Sequence, residues 1–278
     1  PIMASDHAIS TISPFWSRRF QLSADCLILP FSGDNPCSLI GMGLVQPGQV
    51  ALSLGTSDTL FACMREARPS ESGEGALFAS PDGDHYMALI CFLNGSLARE
   101  AVRDEYGMDW PRFADALQET APGNEGQLML PYFAEEIVPH VSQAGVIRQG
   151  LDAGDGAANV RAVVEAQAMS SRIHSEWMGV PVQSLNVTGG ASENDAILQI
   201  YADVHGCSVQ RFQTTNAAAL GAAMRAAHCA AKSECSWTEV VASFTRPQGA
   251  ALSARPEHVA TYEALVRQYR ELEDAHTG

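Results

Sequence analysis

The sequence predicts an α/β layer fold, a mixed sheet covered by helices, and three observations carry that prediction. Short apolar runs alternate with segments of helical spacing through the second half of the chain. Two apolar runs joined by Gly55-Thr56-Ser57-Asp58 read as a β-hairpin, so the sheet is not purely parallel. Hydrophobic residues make up 46% of 278 positions and charged residues 18%, which suffices for a sizeable core in one domain spanning 1–278.

The elements follow in order. The run 24–31 is apolar and bounded by Ser32-Gly33, which predicts a short buried strand. Asn35-Pro36 opens a helix to about Gly43, with Asn35 as N-cap and Pro36 at the first helical position. The hairpin strands are 50–54 and 59–63, and 85–92 is a further strand. Helical spacing covers 94–106 and 110–120. The polar stretches 66–80, 121–126 and 145–156 read as loop. A long helix runs from Ala157 to Met178 and ends at Gly179 and Pro181. Then come strand 184–187, helix 192–205, strand 208–212, an alanine-rich helix 216–231 and a last helix from about Pro256 to Asp274.

Composition excludes several classes. The formal charge is −15, from 17 Lys plus Arg against 32 Asp plus Glu, and a nucleic-acid backbone binder needs the opposite sign. Small phosphorylated ligands stay open, because backbone N–H groups can hold them. Lys232 is the only lysine and stands far from any glycine-rich turn, so a P-loop and the strand lysine of a protein kinase are both absent. No apolar run is long enough for a membrane span. Seven scattered cysteines form neither a C-x-x-C pair nor a zinc pattern, and without a secretory leader they imply reduced thiols in a cytoplasmic protein. Asn94-Gly95-Ser96 and Asn186-Val187-Thr188 match the glycosylation pattern by chance on that reading. A start at Pro1 rather than methionine reads as the loss of something upstream.

Three segments could carry chemistry. Phe31-Ser32-Gly33-Asp34-Asn35-Pro36 presents a carboxylate at a strand-to-helix junction, where ligands of α/β sheets bind; its plain reading is that Asp34 or Asn35 caps the helix. Ser53-Leu54-Gly55-Thr56-Ser57-Asp58 aims successive donors outward from a tight turn, which suits a phosphate; its plain reading is an ordinary hairpin. Thr188-Gly189-Gly190-Ala191-Ser192-Glu193-Asn194 lets a flat ligand lie against bare backbone beside a helix that starts at Ser192, with Asp195 completing a capping-box pattern; its plain reading is a βα turn. Their order and spacing say more than any one of them.

Gly33-Asp34-Asn35, then Ser53-Leu54-Gly55-Thr56-Ser57, and much later Thr188-Gly189-Gly190-Ala191-Ser192 resemble the carboxy-terminal domain of the FGGY carbohydrate kinases. Gly33-Asp34-Asn35-Pro36, Ser53 to Phe61, His85-Tyr86-Met87-Ala88-Leu89 and Asn94-Gly95-Ser96-Leu97 are most similar to the animal xylulokinase branch, and 217–223 to the small-residue helix after the adenosine turn. The resemblance spans nearly the whole chain. It implies an actin-like ATPase (ribonuclease H-like) fold and ATP-dependent phosphorylation of D-xylulose to D-xylulose 5-phosphate, this chain being the C-terminal half. It makes Asp34 the catalytic base and a sugar contact, and Asn35 a sugar contact. It assigns Gly55, Thr56 and Ser57 to the second phosphate loop, and Gly189, Gly190, Ala191 and Asn194 to the adenosine site. Trp110, in Asp109-Trp110-Pro111-Arg112-Phe113, resembles a tryptophan that lies against the base; on an amphipathic helix it reads equally as a core aromatic.

The resemblance also says what is missing. Family members begin with a domain that holds a D-x-G-T phosphate loop, the aspartates that organise Mg²⁺ and further sugar contacts. No D-x-G-T occurs in this sequence, so the Mg²⁺ site is expected in that amino-terminal domain and no residue here is assigned to metal. The expected partners are the sugar and that domain, with no nucleic acid and no membrane. Many relatives carry P-Y-L-x-G-E-R-x-P, and here Ile137 stands in place of the arginine, so the segment 131–139 receives no role. Two other readings stay open: an FGGY kinase for another sugar or polyol, and a non-catalytic nucleotide-binding domain of the same fold.

Overall fold

The strand Gln49–Leu54 (β3) lies in the interior of a seven-stranded sheet, and its side chains explain why. Val50, Leu52 and Leu54 alternate with Ala51, and all four are buried, so both faces of this strand are covered. The computed structural model describes residues 5, 7–212, 216–231 and 234–277; Lys232 and Pro1 lie outside them. Two short strands, Ser10–Thr11 (β1) and Leu27–Ile28 (β2), pair with each other apart from the main sheet. Beyond β3 come Asp58–Met64 (β4), Ala76–Ala79 (β5), Tyr86–Phe92 (β6), Leu128–Tyr132 (β7), Gly145–Gln149 (β8), Ser184–Thr188 (β9), Ser208–Phe212 (β10) and Pro247–Leu252 (β11). The main sheet has the order β11-β10-β9-β3-β4-β6-β5. Its β10-β9-β3 pairs are parallel and the rest antiparallel, the mixed sheet expected from the sequence.

The helices are Pro14–Phe20 (α1), Asp34–Gly41 (α2), Ser96–Glu105 (α3), Trp110–Glu119 (α4), Gly156–Ile173 (α5), Asp195–His205 (α6), Ala217–Ala230 (α7), Trp237–Phe244 (α8) and Pro256–Thr277 (α9). One face of the sheet packs Val50, Leu52, Leu60 and Ile90 against α3, α4, α5, α6 and α9 in the largest core cluster. The other face packs Ala51, Cys63 and Met87 against Leu39 and Met42 around α2, which in turn meets α7 and α8. In α5, 15 of 18 residues are buried, because β7 and four helices surround it.

Several expectations need correction. The run 24–31 is not a buried strand: only Leu27–Ile28 is extended, both are exposed, and Phe31 is 95% exposed, since no helix layer covers the β1–β2 pair. The helix α2 starts at Asp34 with Gly33 as N-cap and no side-chain cap, so neither Asn35 nor Asp34 caps it. The stretches 66–80 and 145–156 contain β5 and β8; β5 is a four-residue apolar run at the end of a polar stretch rich in Ser and Gly, and no residue of β8 is buried. The strands β7 and β11 and helix α8 were not expected. The long helix stops at Ile173, and a separate 3-10 turn, Glu176–Met178, leads to Gly179. The helix after the paired glycines begins at Asp195, not Ser192. Asn194 caps it by accepting from the Ala196 and Ile197 N–H groups, while the Ser192 hydroxyl donates back to the Gly189 carbonyl at 2.6 Å.

Candidate nucleotide site at the carboxyl end of the sheet

Two glycine turns meet where the parallel strands β3 and β9 end. The pairing of Leu54 with Asp58 closes the β3–β4 hairpin over Gly55, Thr56 and Ser57, and Thr56 is exposed at its tip. Gly55 folds tightly into the turn, where a β-carbon on it would lie 3.3 Å from the Ser57 carbonyl oxygen. The Gly55 carbonyl accepts from the Ser96 N–H at 2.8 Å, which fastens the turn to the start of α3. On the other side Gly189 crosses over Leu54. A β-carbon on Gly189 would sit 2.4 Å from the Leu54 carbonyl oxygen, and its φ of +93° is a conformation that side chains oppose. Only glycine lets these turns touch.

Beside them opens a cleft of about 680 Å³, lined among others by Ser96, Arg99, Trp110, Gly190, Ala191 and Asn194. Thus four of the residues expected at an adenosine site share one wall system, although more than 70 positions separate Trp110 from the others. Trp110 is 44% exposed, so it belongs to the rim and not to the core. The Arg103 guanidinium lies 4.5 Å from the centre of its ring, and Phe113 meets it edge-on at 5.4 Å. Asp109 orients this helix by accepting the Arg112 N–H. A β-carbon on Gly190 would meet nothing within 4 Å, so the bare backbone there faces open space that a flat ligand can fill. Arg211 of β10 steadies the glycine turn from behind by donating to the Ser192 carbonyl at 2.6 Å and to Asp195 at 2.7 Å.

A second cleft, of about 320 Å³, lies across the same glycine turn and is lined by Ser38, Ser53, Thr188, Gly189 and Ala217 among others. Ser38 stands one turn after Asp34 on α2. Asp34 and Asn35 line neither cleft; Asp34 is exposed in the first helical turn, and its Oδ1 accepts the Asn35 N–H at 2.8 Å. The structure therefore unites Gly55–Ser57 with the Gly189–Asn194 turn and Trp110. The Asp34 carboxylate stands apart, one helical turn beyond the smaller cleft. Among the described residues no group of three or more His, Cys, Asp or Glu side chains is placed to hold a metal ion.

Sequence reasoning missed the groups behind the site. Arg99 and Asp58 form a buried bidentate ion pair. Burial raises the Asp58 carboxyl against the pull of Arg99, and the guanidinium stays charged because it has no accessible neutral form in proteins. Glu136 lies in the segment to which no role was given. It is buried and accepts the Leu93, Asn94 and Ile137 N–H groups and the Asn94 amide, which anchors the loop between β6 and α3. Nothing in the spacing of Glu136 signals this, since Leu93 and Asn94 lie more than 40 residues upstream.

Residues 50–230 match the FGGY family of carbohydrate kinases, C-terminal domain. Over 274 residues the chain is 41% identical to a xylulose kinase of Mus musculus, covering 95% of this chain and 49% of that protein. A xylulose kinase structure from Bifidobacterium adolescentis superposes with a TM-score of 0.75 at 28% identity, covering 86% of this chain and 47% of that one. A gluconate kinase structure from Lactobacillus acidophilus gives 0.86 at 20% identity, covering all of this chain and 57% of that one, a likeness of fold alone. The mixed sheet between helix layers is thus the actin-like fold of these kinases, and the chain spans about half the length of the curated relatives it matches.

Proposed function

Because the chain belongs to the FGGY family of carbohydrate kinases through its C-terminal domain, we propose that it is the nucleotide-binding half of an ATP-dependent D-xylulose kinase. The observation that carries this is the cleft whose walls are Trp110, Gly190, Ala191 and Asn194, and which leads past Ser96 to the Gly55–Ser57 turn. Base, sugar and phosphates of a nucleotide require that sequence of surfaces: an aromatic and bare backbone, then donors of a tight turn. Xylulose as substrate is supported by the relatives named for it, at 41% identity over nearly this whole chain.

In this reading Asp34 is the base. The attacking hydroxyl oxygen of the sugar bonds to the γ-phosphorus, the bond to the β,γ-bridging oxygen breaks, and ADP departs with that electron pair. The hydroxyl proton passes to the Asp34 carboxylate, which holds the hydroxyl in line beforehand. An exposed carboxylate in the first turn of α2, with one oxygen on the Asn35 N–H, supports that role. Mg²⁺ would neutralise phosphate charge, and it is assigned mainly to the amino-terminal half that relatives carry.

That half is also the proposed partner. Phe15, Trp16, Phe20, Leu27, Ile28 and Phe31 are all exposed on α1, β2 and the segment leading to α2, a patch of the kind that marks an interface. Seven free cysteines support a reducing, cytoplasmic location. Among the described residues no helix is long and apolar enough to cross a membrane. The test is ADP release coupled to a panel of sugars, on residues 1–278 alone and joined to the amino-terminal half. The joined protein should turn over xylulose, the isolated chain should not, and Asp34→Asn should lose about a hundredfold or more of kcat with little change in ADP affinity. Equal ADP release with and without every sugar would sink the kinase reading.

A further inference from the structure

The Gly55–Ser57 turn is gripped from behind by a chain of buried polar groups. Arg99 Nη1 donates to Asp58 Oδ2 at 2.9 Å and Nη2 to Oδ1 at 3.0 Å, and the two side chains are only 1% and 5% exposed. The same guanidinium donates to Gln167 Oε1 at 2.6 Å and to the Ser96 hydroxyl at 3.2 Å. Gln167, inside the buried helix α5, donates its amide to the Asn94 and Gly95 carbonyls at 2.7 and 2.9 Å. Gly95 presses on the turn itself, since a β-carbon there would lie 2.8 Å from the Ser57 carbonyl carbon and 2.7 Å from the Asp58 nitrogen. Both flanks of the turn are thus tied to one guanidinium.

A buried ion pair gives little net stability over apolar residues of similar volume, so its yield here is geometric. The guanidinium is a rigid planar fork, and a bidentate grip fixes the carboxylate in direction as well as distance. Asp58 pairs with Leu54 across the base of the turn, so a carboxylate fixed in direction holds the residue that closes it. We propose that Arg99 is a positioning residue for the phosphates. Through Asp58 it sets where the Thr56 and Ser57 donors point, so its loss weakens the phosphate contacts more than the adenosine contacts at Trp110 and Gly190. The inference rests on the nucleotide reading of the cleft.

The test measures adenosine and ADP affinities of the 278-residue chain by calorimetry. Arg99→Lys keeps the buried charge opposite Asp58, so the fold is retained while the fork is lost. Asp58→Asn combined with Arg99→Met removes both charges together and leaves neither unpaired. In both variants ADP affinity should fall about tenfold more than adenosine affinity, the scale of one charge-assisted hydrogen bond. An unchanged ratio of the two affinities in Arg99→Lys overturns the proposal. So does equal loss of both ligands, or loss of the fold in both variants, because the pair would then be structural. A wild-type chain that binds neither adenosine nor ADP would instead remove the nucleotide reading itself.

Discussion

Gly221 of α7 lies so close to Cys37 of α2 that a β-carbon on it would sit 1.8 Å from the Cys37 carbonyl oxygen. One helical turn away, a β-carbon on Gly41 of α2 would sit 1.9 Å from the Ala217 carbonyl oxygen. Two glycines, one from each helix, let the backbones cross in contact. Because the obstacle in each case is backbone, no rotamer change relieves it. Gly221→Ala should therefore cost about 3 kcal/mol or more, at the upper end for overpacking, and lower the thermal midpoint accordingly. A variant that melts within a degree or two of wild type would mean the crossing opens easily.

The paired glycines of the turn after β9 should behave oppositely. Gly189→Ala meets the Leu54 carbonyl and a φ of +93°, and should destabilise by about 2 kcal/mol or more. Gly190→Leu enters open space in the large cleft, so it should melt near wild type and lose ADP binding. Denaturant titration and calorimetry on the two variants separate these outcomes. ADP bound normally by Gly190→Leu would place the nucleotide elsewhere.

Trp110 sits on the rim, so Trp110→Ala should barely move the melting point. ADP affinity should fall about tenfold or more, the scale of an aromatic stacked on a base. Trp16, Trp177 and Trp237 also emit, so the nucleotide-induced change in fluorescence must be compared between wild type and variant. Its survival in the variant would remove Trp110 from the site.

Stability should depend on pH through His174. Its Nδ1 meets Glu74 at 3.1 Å and its Nε2 meets Glu273 at 2.9 Å, joining the segment before β5 to α9. Burial opposes its charge, but the two carboxylates outweigh that and raise it to about 9 from 6.5. A folded-state value above the unfolded one favours the folded protein while the imidazole is charged. The contribution is complete below about 6.5 and is lost as pH rises through about 9, in total on the order of 3 kcal/mol. Urea midpoints measured at pH 6, 7.5 and 9 should fall in wild type more than in His174→Gln. Parallel slopes would mean that His174 does not titrate in this window.

The sequence showed the middle of the sheet and the glycine turns plainly, because they announce themselves locally. The run around Leu52 is apolar on both faces, and Gly55 and Gly189 stand at strand ends where only particular backbone angles fit. Asn194 illustrates the limit: the hydroxyl of Ser192 and the acid at Asp195 imitate a capping box, yet the cap is two residues later. Edge strands such as Gly145–Gln149 escaped because none of their residues is buried and no alternation survives. The clamp around Arg99 escaped for another reason. Asp58, Arg99 and Gln167 are separated by 41 and 68 positions, and only the folded chain brings the ion pair and the amide together.

The helix α5 has no solvent face to speak of, and that constrains the order in which the protein can assemble. A segment carrying Arg161, Glu165 and Gln167 among its buried residues cannot rest inside a collapsed chain until Thr120, Tyr262 and Gly95 arrive to receive them. Its ladder of amides then lies beneath every neighbouring element. Deuterium should reach those amides last, in the openings that dissolve the whole domain, whereas α1 and the β1–β2 ribbon should exchange through local fraying.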